Sequence, residues 1–148
     1  MGAMKALTID PATADLGAMI ECGMRLHGHL GPYLVAGIRM GLLALRKLDS
    51  PGYFGLRAES HAGRTTPLSC LNDGVQIGSG CTAGKGNLDI IGEDGPRVRF
   101  TAVDGRAIEI ELRQEVVDSF DGVDLIKKAC ELERMPEEEL FRWTTRSR

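Results

Sequence analysis

Apolar side chains recur at helical spacing in two stretches of the N-terminal half. Leu16, Met19, Ile20 and Gly23 fall three and four residues apart, and Asp10-Pro11 upstream supplies a cap and a first-turn proline. The second and stronger stretch starts at Gly31-Pro32 and carries Leu34, Val35, Ile38, Leu42 and Leu45 on its apolar side, with Arg39, Arg46 and Lys47 on another. Gly37 and Gly41 share one side of this helix. Their helix-propensity cost predicts a closely approaching backbone, for which a second copy of the chain is one source. Residues 27–31 between the two helices, His-Gly-His-Leu-Gly, read as a constrained loop.

Further on, the period changes. Residues 56–62 read as a strand closed by Gly63, and Leu71, Val75 and Gly78 as a short helix with Asp73 and Gln76 on its other face. A glycine-rich loop follows over residues 78–87. Val98, Phe100 and Ala102 then alternate, as do Ile108, Ile110 and Leu112, about a turn at Asp104-Gly105. A two-residue turn would set Phe100 against Glu109. Placing Phe100 opposite Ile110, and Val98 opposite Leu112, gives one apolar face and an odd-numbered loop centred on Gly105. The remainder reads as helical, with Asp121 ahead of Val123, Ile126, Ala129 and Cys130, and an acidic turn from Met135-Pro136 to Leu140. The pattern predicts an α+β fold, an antiparallel sheet packed with several helices, as a single compact domain spanning residues 1–148.

Composition narrows the setting. A chain of 148 residues, 43% hydrophobic and 26% charged, can bury a sizeable core, and no apolar run approaches the roughly 18 residues that read as a membrane span. Residues 1–4 lack the cationic and apolar regions of a secretory signal, so the expected location is cytoplasmic. A net charge of −3, from 18 Lys plus Arg and 21 Asp plus Glu, offers no general attraction to nucleic acid or to a membrane surface. The four cysteines are widely spaced without a CxxC pair, which argues against a disulfide framework. Cys22 and Cys130, in apolar helical segments, read as core residues.

The remaining cysteines and two of the histidines carry the candidate chemistry. His27, His29, Cys70 and Cys81 offer nitrogen and sulfur donors of the kind zinc accepts. On one straight helix, Cys70 and Cys81 would stand roughly 16 Å apart and could not share an ion. Either the glycine-rich exit folds back, or one cysteine alone ligates, or two subunits contribute. Each of the four also has a plain reading in capping, packing or hydrogen bonding. Asp73 and Gln76 either bind a ligand and orient the metal ligands or form a solvated helix face. Lys85 either steadies an anion in the cleft or faces solvent. Its Gly80-to-Gly86 surroundings lack the spacing and the hydroxyl of a nucleotide-binding loop.

Together, Leu26-His27-Gly28-His29-Leu30-Gly31-Pro32, Cys70 with Asp73 and Gln76, and the segment from Gly80 to Leu88 resemble the formylmethanofuran dehydrogenase E-subunit family across residues 16–112. The resemblance implies an α+β core with bound metal, often dimeric, and an ancestral tie to molybdenum- or tungsten-dependent oxidation. It implies ligands among His27, His29, Cys70 and Cys81, with Asp73, Gln76 and Lys85 lining the same region. One departure stands out: where the family commonly reads His-Gly-His-x-Cys-Pro, this chain has Gly31 before Pro32, which removes a candidate soft ligand or redox thiol. The sequence also shows no appended CxxC zinc ribbon and no four-cysteine iron–sulfur pattern, so dehydrogenase chemistry would reside in other subunits. The resulting expectation is a zinc-binding protein of this kind that binds a small ligand or supports a metalloenzyme, associated with oxidoreductases and forming a homodimer. The alternatives are an independent zinc enzyme, with Asp73 transferring protons and Lys85 steadying an anion, and a noncatalytic structural or metal-storage dimer.

Overall fold

A computed structural model describes residues 6–147. Its centre is a helix buried around most of its circumference. Helix α1 spans Leu16–His27 and α2 spans Pro32–Leu48, whose Leu34, Val35, Ala36, Ile38, Met40, Leu43 and Ala44 are fully buried. Strand β1 (Leu56–Ala62) leads through a loop to α3 (Cys70–Ser79). Strands β2 (Leu88–Ile90), β3 (Glu93–Ala102) and β4 (Ala107–Leu112) follow. Three short helices, α4 (Gln114–Asp118), α5 (Leu125–Arg134) and α6 (Glu137–Leu140), precede β5 (Phe141–Arg146). One five-stranded sheet in the order β2-β1-β3-β4-β5 backs the helices. It is antiparallel except where β1 and β2 run parallel. This is a single α+β domain. Among the described residues, no helix is long and apolar enough to cross a membrane.

The α2–α3 crossing fixes the architecture around the site. A Cβ at Gly37 would lie 2.2 Å from the Leu71 carbonyl oxygen, one at Gly74 would lie 2.2 Å from that of Leu34, and one at Gly78 would lie 2.1 Å from that of Ile38. The backbone that Gly37 and Gly41 accommodate therefore belongs to α3 of the same chain, and not to a second copy. Contacts climb together along both helices, Gly37 with Gly74 and Gly41 with Gly78, so the helices run parallel and their N-termini share one end of the molecule. A buried polar bridge ties α3 to the sheet: Ser60 Oγ donates to Asn72 Oδ1 (2.5 Å), and Asn72 Nδ2 donates to the Gly63 carbonyl (2.8 Å). Arg39 holds the opposite flank by donating to the Leu132 and Met135 carbonyls at the end of α5.

Several local expectations are corrected. The cap of α1 is Asp15, which accepts from the Ala18 amide, while Asp10 closes a turn of its own onto Ala12. Likewise Asp124, not Asp121, caps α5, accepting from the Ile126 and Lys127 amides. The β3–β4 hairpin keeps the common apolar face and the odd loop but is two residues tighter: Phe100 pairs with Ile108 and Val98 with Ile110. Here the Gly105 amide bonds the Ala102 carbonyl and the Ala102 amide bonds that of Arg106. Gly105, at φ 92°, closes a three-residue loop of the kind that ends on a left-handed glycine. Cys22 and Cys130 are exposed rather than core residues. Finally, the segment after α6 is a strand, with Phe141 opposite Leu112 and Trp143 opposite Ile110.

Candidate metal centre

The shared end of α2 and α3 gathers three donors. His27 closes α1, and Gly28, in the left-handed conformation at φ 99°, turns the chain so that His29 comes back beside it, the two rings 4.5 Å apart. Cys70 opens α3 on the facing side. One ligating atom from each of His27, His29 and Cys70 lies within 4.8 Å of the others. Tetrahedral zinc with bonds of about 2.0–2.3 Å separates its ligands by roughly 3.5 Å. Closing the difference takes about an ångström of movement, and the exposed His29 is free to supply it.

Hydrogen bonding sets the chemistry of the first donor. His27 Nδ1 and Asp73 Oδ2 are 2.6 Å apart, and Gln76 Nε2 donates to the other carboxylate oxygen (3.3 Å). An ionised Asp73 holds the proton on Nδ1 and leaves Nε2 as a lone-pair donor. That Nε2 is buried and has no hydrogen-bond partner. A buried nitrogen without a partner costs free energy, and a metal ion at that point would remove the cost. Cys70 is buried too, and burial, followed by the nearby Asp73 carboxylate, pushes its thiol above the ordinary 9.0. Without a cation the thiol stays protonated, and an ion would displace its proton. The residues present fit a zinc-like ion.

The other candidate residues lie elsewhere. Cys81 follows Gly80, which caps the far end of α3. It is fully buried and its Sγ faces the Leu56 carbonyl at 3.5 Å, with burial again raising its thiol. Lys85 Nζ donates to the Gly80 carbonyl (2.6 Å) and Thr82 Oγ1 (2.9 Å), stapling the glycine-rich loop to itself at that same far end. Gln76 joins the two regions, since its Oε1 accepts from the Ala83 amide while its Nε2 holds Asp73. The structure thus brings together His27, His29, Cys70, Asp73 and Gln76, and leaves Cys81 and Lys85 about a helix length away.

A cavity of about 280 Å³ adjoins the cluster. His29, Gly31 and Cys70 form one wall, and Tyr33, Val117, Phe120 and Leu125 form the apolar remainder, with Asp121 at the exposed mouth. Tyr33 and Phe120 meet edge to face at 5.1 Å. Sequence reasoning missed Tyr33, Phe120 and Leu125. Tyr33 was visible one residue past the Gly31-Pro32 start of the strongest helix, whereas Phe120 lies in the turn after α4 and Leu125 is an exposed first-turn position of α5 that the helix's apolar pattern does not mark.

The family model described as FmdE, molybdenum formylmethanofuran dehydrogenase operon, matches residues 26–146. The chain belongs to the FmdE family. Over 69 residues it is 33% identical to a probable S-adenosyl-L-methionine-binding protein of Archaeoglobus fulgidus, an alignment that covers 42% of this chain and 17% of that protein. Among solved structures, it resembles a tungsten formylmethanofuran dehydrogenase FmdE-like protein from Syntrophus aciditrophicus with a TM-score of 0.70 at 20% identity. That match covers 95% of this chain and 76% of the other, and speaks for the shared fold.

Proposed function

We propose that this FmdE-family chain is a zinc protein in which His27, His29 and Cys70 hold one ion and present it to a small ligand. The observation that carries the reading is the buried, unpartnered Nε2 of His27, on a ring that clusters with two further donor side chains while Asp73 holds the opposite ring nitrogen. Zinc bound there would supply Lewis acidity toward a ligand donor or carbonyl. The chain's own residues do the rest. Asp73 holds the imidazole in its ligating tautomer, Gln76 holds Asp73, and the apolar walls beside Cys70 exclude water from one side of the cluster. A site of three protein donors beside a cavity suits ligand binding better than a closed structural role, because structural zinc commonly takes all four ligands from protein. Association as a homodimer, or with the subunits of a larger metalloenzyme, is part of this proposal and rests on the family alone. S-adenosyl-L-methionine is not carried over from the Archaeoglobus relative, of which the aligned stretch is 17%.

Metal content after dialysis tests the reading. One zinc per chain is expected in the wild type and after Cys22→Ser, Cys81→Ser or Cys130→Ser, with marked loss in His27→Ala and Cys70→Ser. Full zinc in folded His27→Ala and Cys70→Ser proteins would overturn it.

A further inference from the structure

The three proposed donors would leave a tetrahedral ion one ligand short, and the space beside Gly31 adjoins them. Gly31 is buried, and a Cβ placed on it would stand 3.2 Å from Cε1 and 3.5 Å from Nδ1 of His29, so a side chain at this position would reach into the space beside the donors. Glycine leaves that space to the cavity. His29 and Cys70 belong to both the donor cluster and the cavity wall, whereas His27 belongs to the cluster alone; a molecule in the cavity therefore meets the ion from the His29–Cys70 side.

Two features define what that molecule is. Two neutral imidazoles and one thiolate would leave the ion itself at a formal +1, and the Asp73 carboxylate that balances this charge stands behind the His27 ring and not on the ion, so the open position still attracts an anionic donor. The N-terminus of α2, which has no side-chain cap, opens at this end and its dipole also favours negative charge, whereas the first amides of α3 are bonded within the preceding turn. Beyond the head group the walls are Tyr33, Val117, Phe120 and Leu125. A cavity of about 150 Å³ accommodates benzene; the 280 Å³ here takes a ring or branched chain with a short arm. We infer that the cavity beside Gly31 binds a small molecule with a thiolate or carboxylate head and an apolar body, the head completing the donor set of His27, His29 and Cys70. Binding of a thiol would release its proton to solvent as the sulfur–metal bond forms, with no change of oxidation state. This inference rests on the zinc reading above and adds the ligand class.

Cobalt(II) in place of zinc makes the centre visible. The full chain loaded with cobalt would be titrated with phenylmethanethiol against 2-mercaptoethanol, and with phenylacetate against acetate, following the visible spectrum and confirming retained cobalt by gel filtration. At least ten-fold tighter binding of the aryl member of a pair is expected, with new thiolate-to-cobalt absorption for the thiols. Gly31→Cys should show that absorption without added thiol and respond to none of the four probes, whereas Gly31→Ala, which adds only the Cβ, should still respond. Leu125→Ala, at a half-exposed wall position, should reduce the aryl preference while cobalt is retained. Failure to load cobalt or zinc would overturn both readings. Cobalt bound with a spectrum that no probe moves would overturn the open position alone, and equal binding of aryl and small members would overturn the apolar body.

Discussion

At the scale of single residues, the cysteines show how far side-chain chemistry could be read from sequence. All four had equal standing by type, and helical context suggested Cys22 and Cys130 for the interior; the fold exposes both and buries Cys81, whose thiol meets a backbone carbonyl. The error is physical: an apolar helical segment says that one face is buried, but not which neighbouring position belongs to it. The His27–Gly28–His29 turn, by contrast, was legible, because only a sharply bent chain can bring both rings to one point. Two consequences follow for individual side chains. Asp73→Asn keeps the shape but loses the charge that holds the Nδ1 proton of His27, so zinc affinity should drop about 10- to 100-fold with the fold intact, as competition with a chelator would measure. In the metal-free protein, burial raises the Cys81 thiol above the ordinary value of 9.0. The folded state then favours the protonated thiol, and its contribution to stability is complete below about pH 9 and lost as pH climbs through the raised value. The urea midpoint should accordingly fall above pH 9, less steeply in Cys81→Ala than in the wild type.

At the scale of elements, alternation was a sound guide to faces and a poorer one to register. The face shared by Phe100 and Ile108 follows from the period of two, and a shift of two residues leaves that face unchanged. The apolar pattern therefore could not separate the Phe100–Ile110 pairing from the observed one; the left-handed Gly105 and its three-residue loop decided it. The last strand was missed because Phe141 and Trp143 are its only strongly apolar inward positions, and they become a strand through Leu112 and Ile110 of the neighbouring one. The glycines of α2 announced a close contact, while their partner glycines in α3 passed unremarked. With carbonyl oxygens a little over 2 Å from the positions where Cβ atoms would sit, Gly37→Ala or Gly78→Ala should force the helices apart and cost about 1–3 kcal/mol or more. Chemical denaturation would measure the loss, and a surface control such as Gly84→Ala, with no atom within 4 Å of the added carbon, should show almost none of it.

For the whole molecule, the class of fold was readable because helical and strand periods alternate along the chain, whereas the strand order and the parallel β1–β2 edge depend on contacts between residues far apart in sequence. The site follows the same division. Its donors were recognisable by type, but the choice of three from four, and the cavity that adjoins them, arise only when the α1–α2 turn, the start of α3 and the α4–α5 region converge. An ion held as proposed from α1, the following loop and α3 would stabilise the folded chain as a whole, by RT ln(1 + [L]/Kd). Thermal unfolding with excess chelator should therefore occur several degrees lower than with zinc, and Cys70→Ser should abolish the difference. Light scattering of the zinc-loaded protein should report twice the chain mass if the proposed dimer forms. A steady monomer with its metal retained would remove the dimer from the proposal.

The parallel seam between α2 and α3 offers no donor atom, yet it sets the gap between the loop carrying His29 and the helix end carrying Cys70. It works as a gauge block for the backbone, setting how far the loop of His29 stands from Cys70, while the exposed His29 side chain takes up the remaining ångström around the proposed ion. Under the proposed zinc reading, selectivity among metals would then be set partly by residues that touch no metal. A single methyl group at Gly37, where the protein survives it, should tilt the preference from zinc toward a divalent ion of larger radius, without any change in the atoms that hold it.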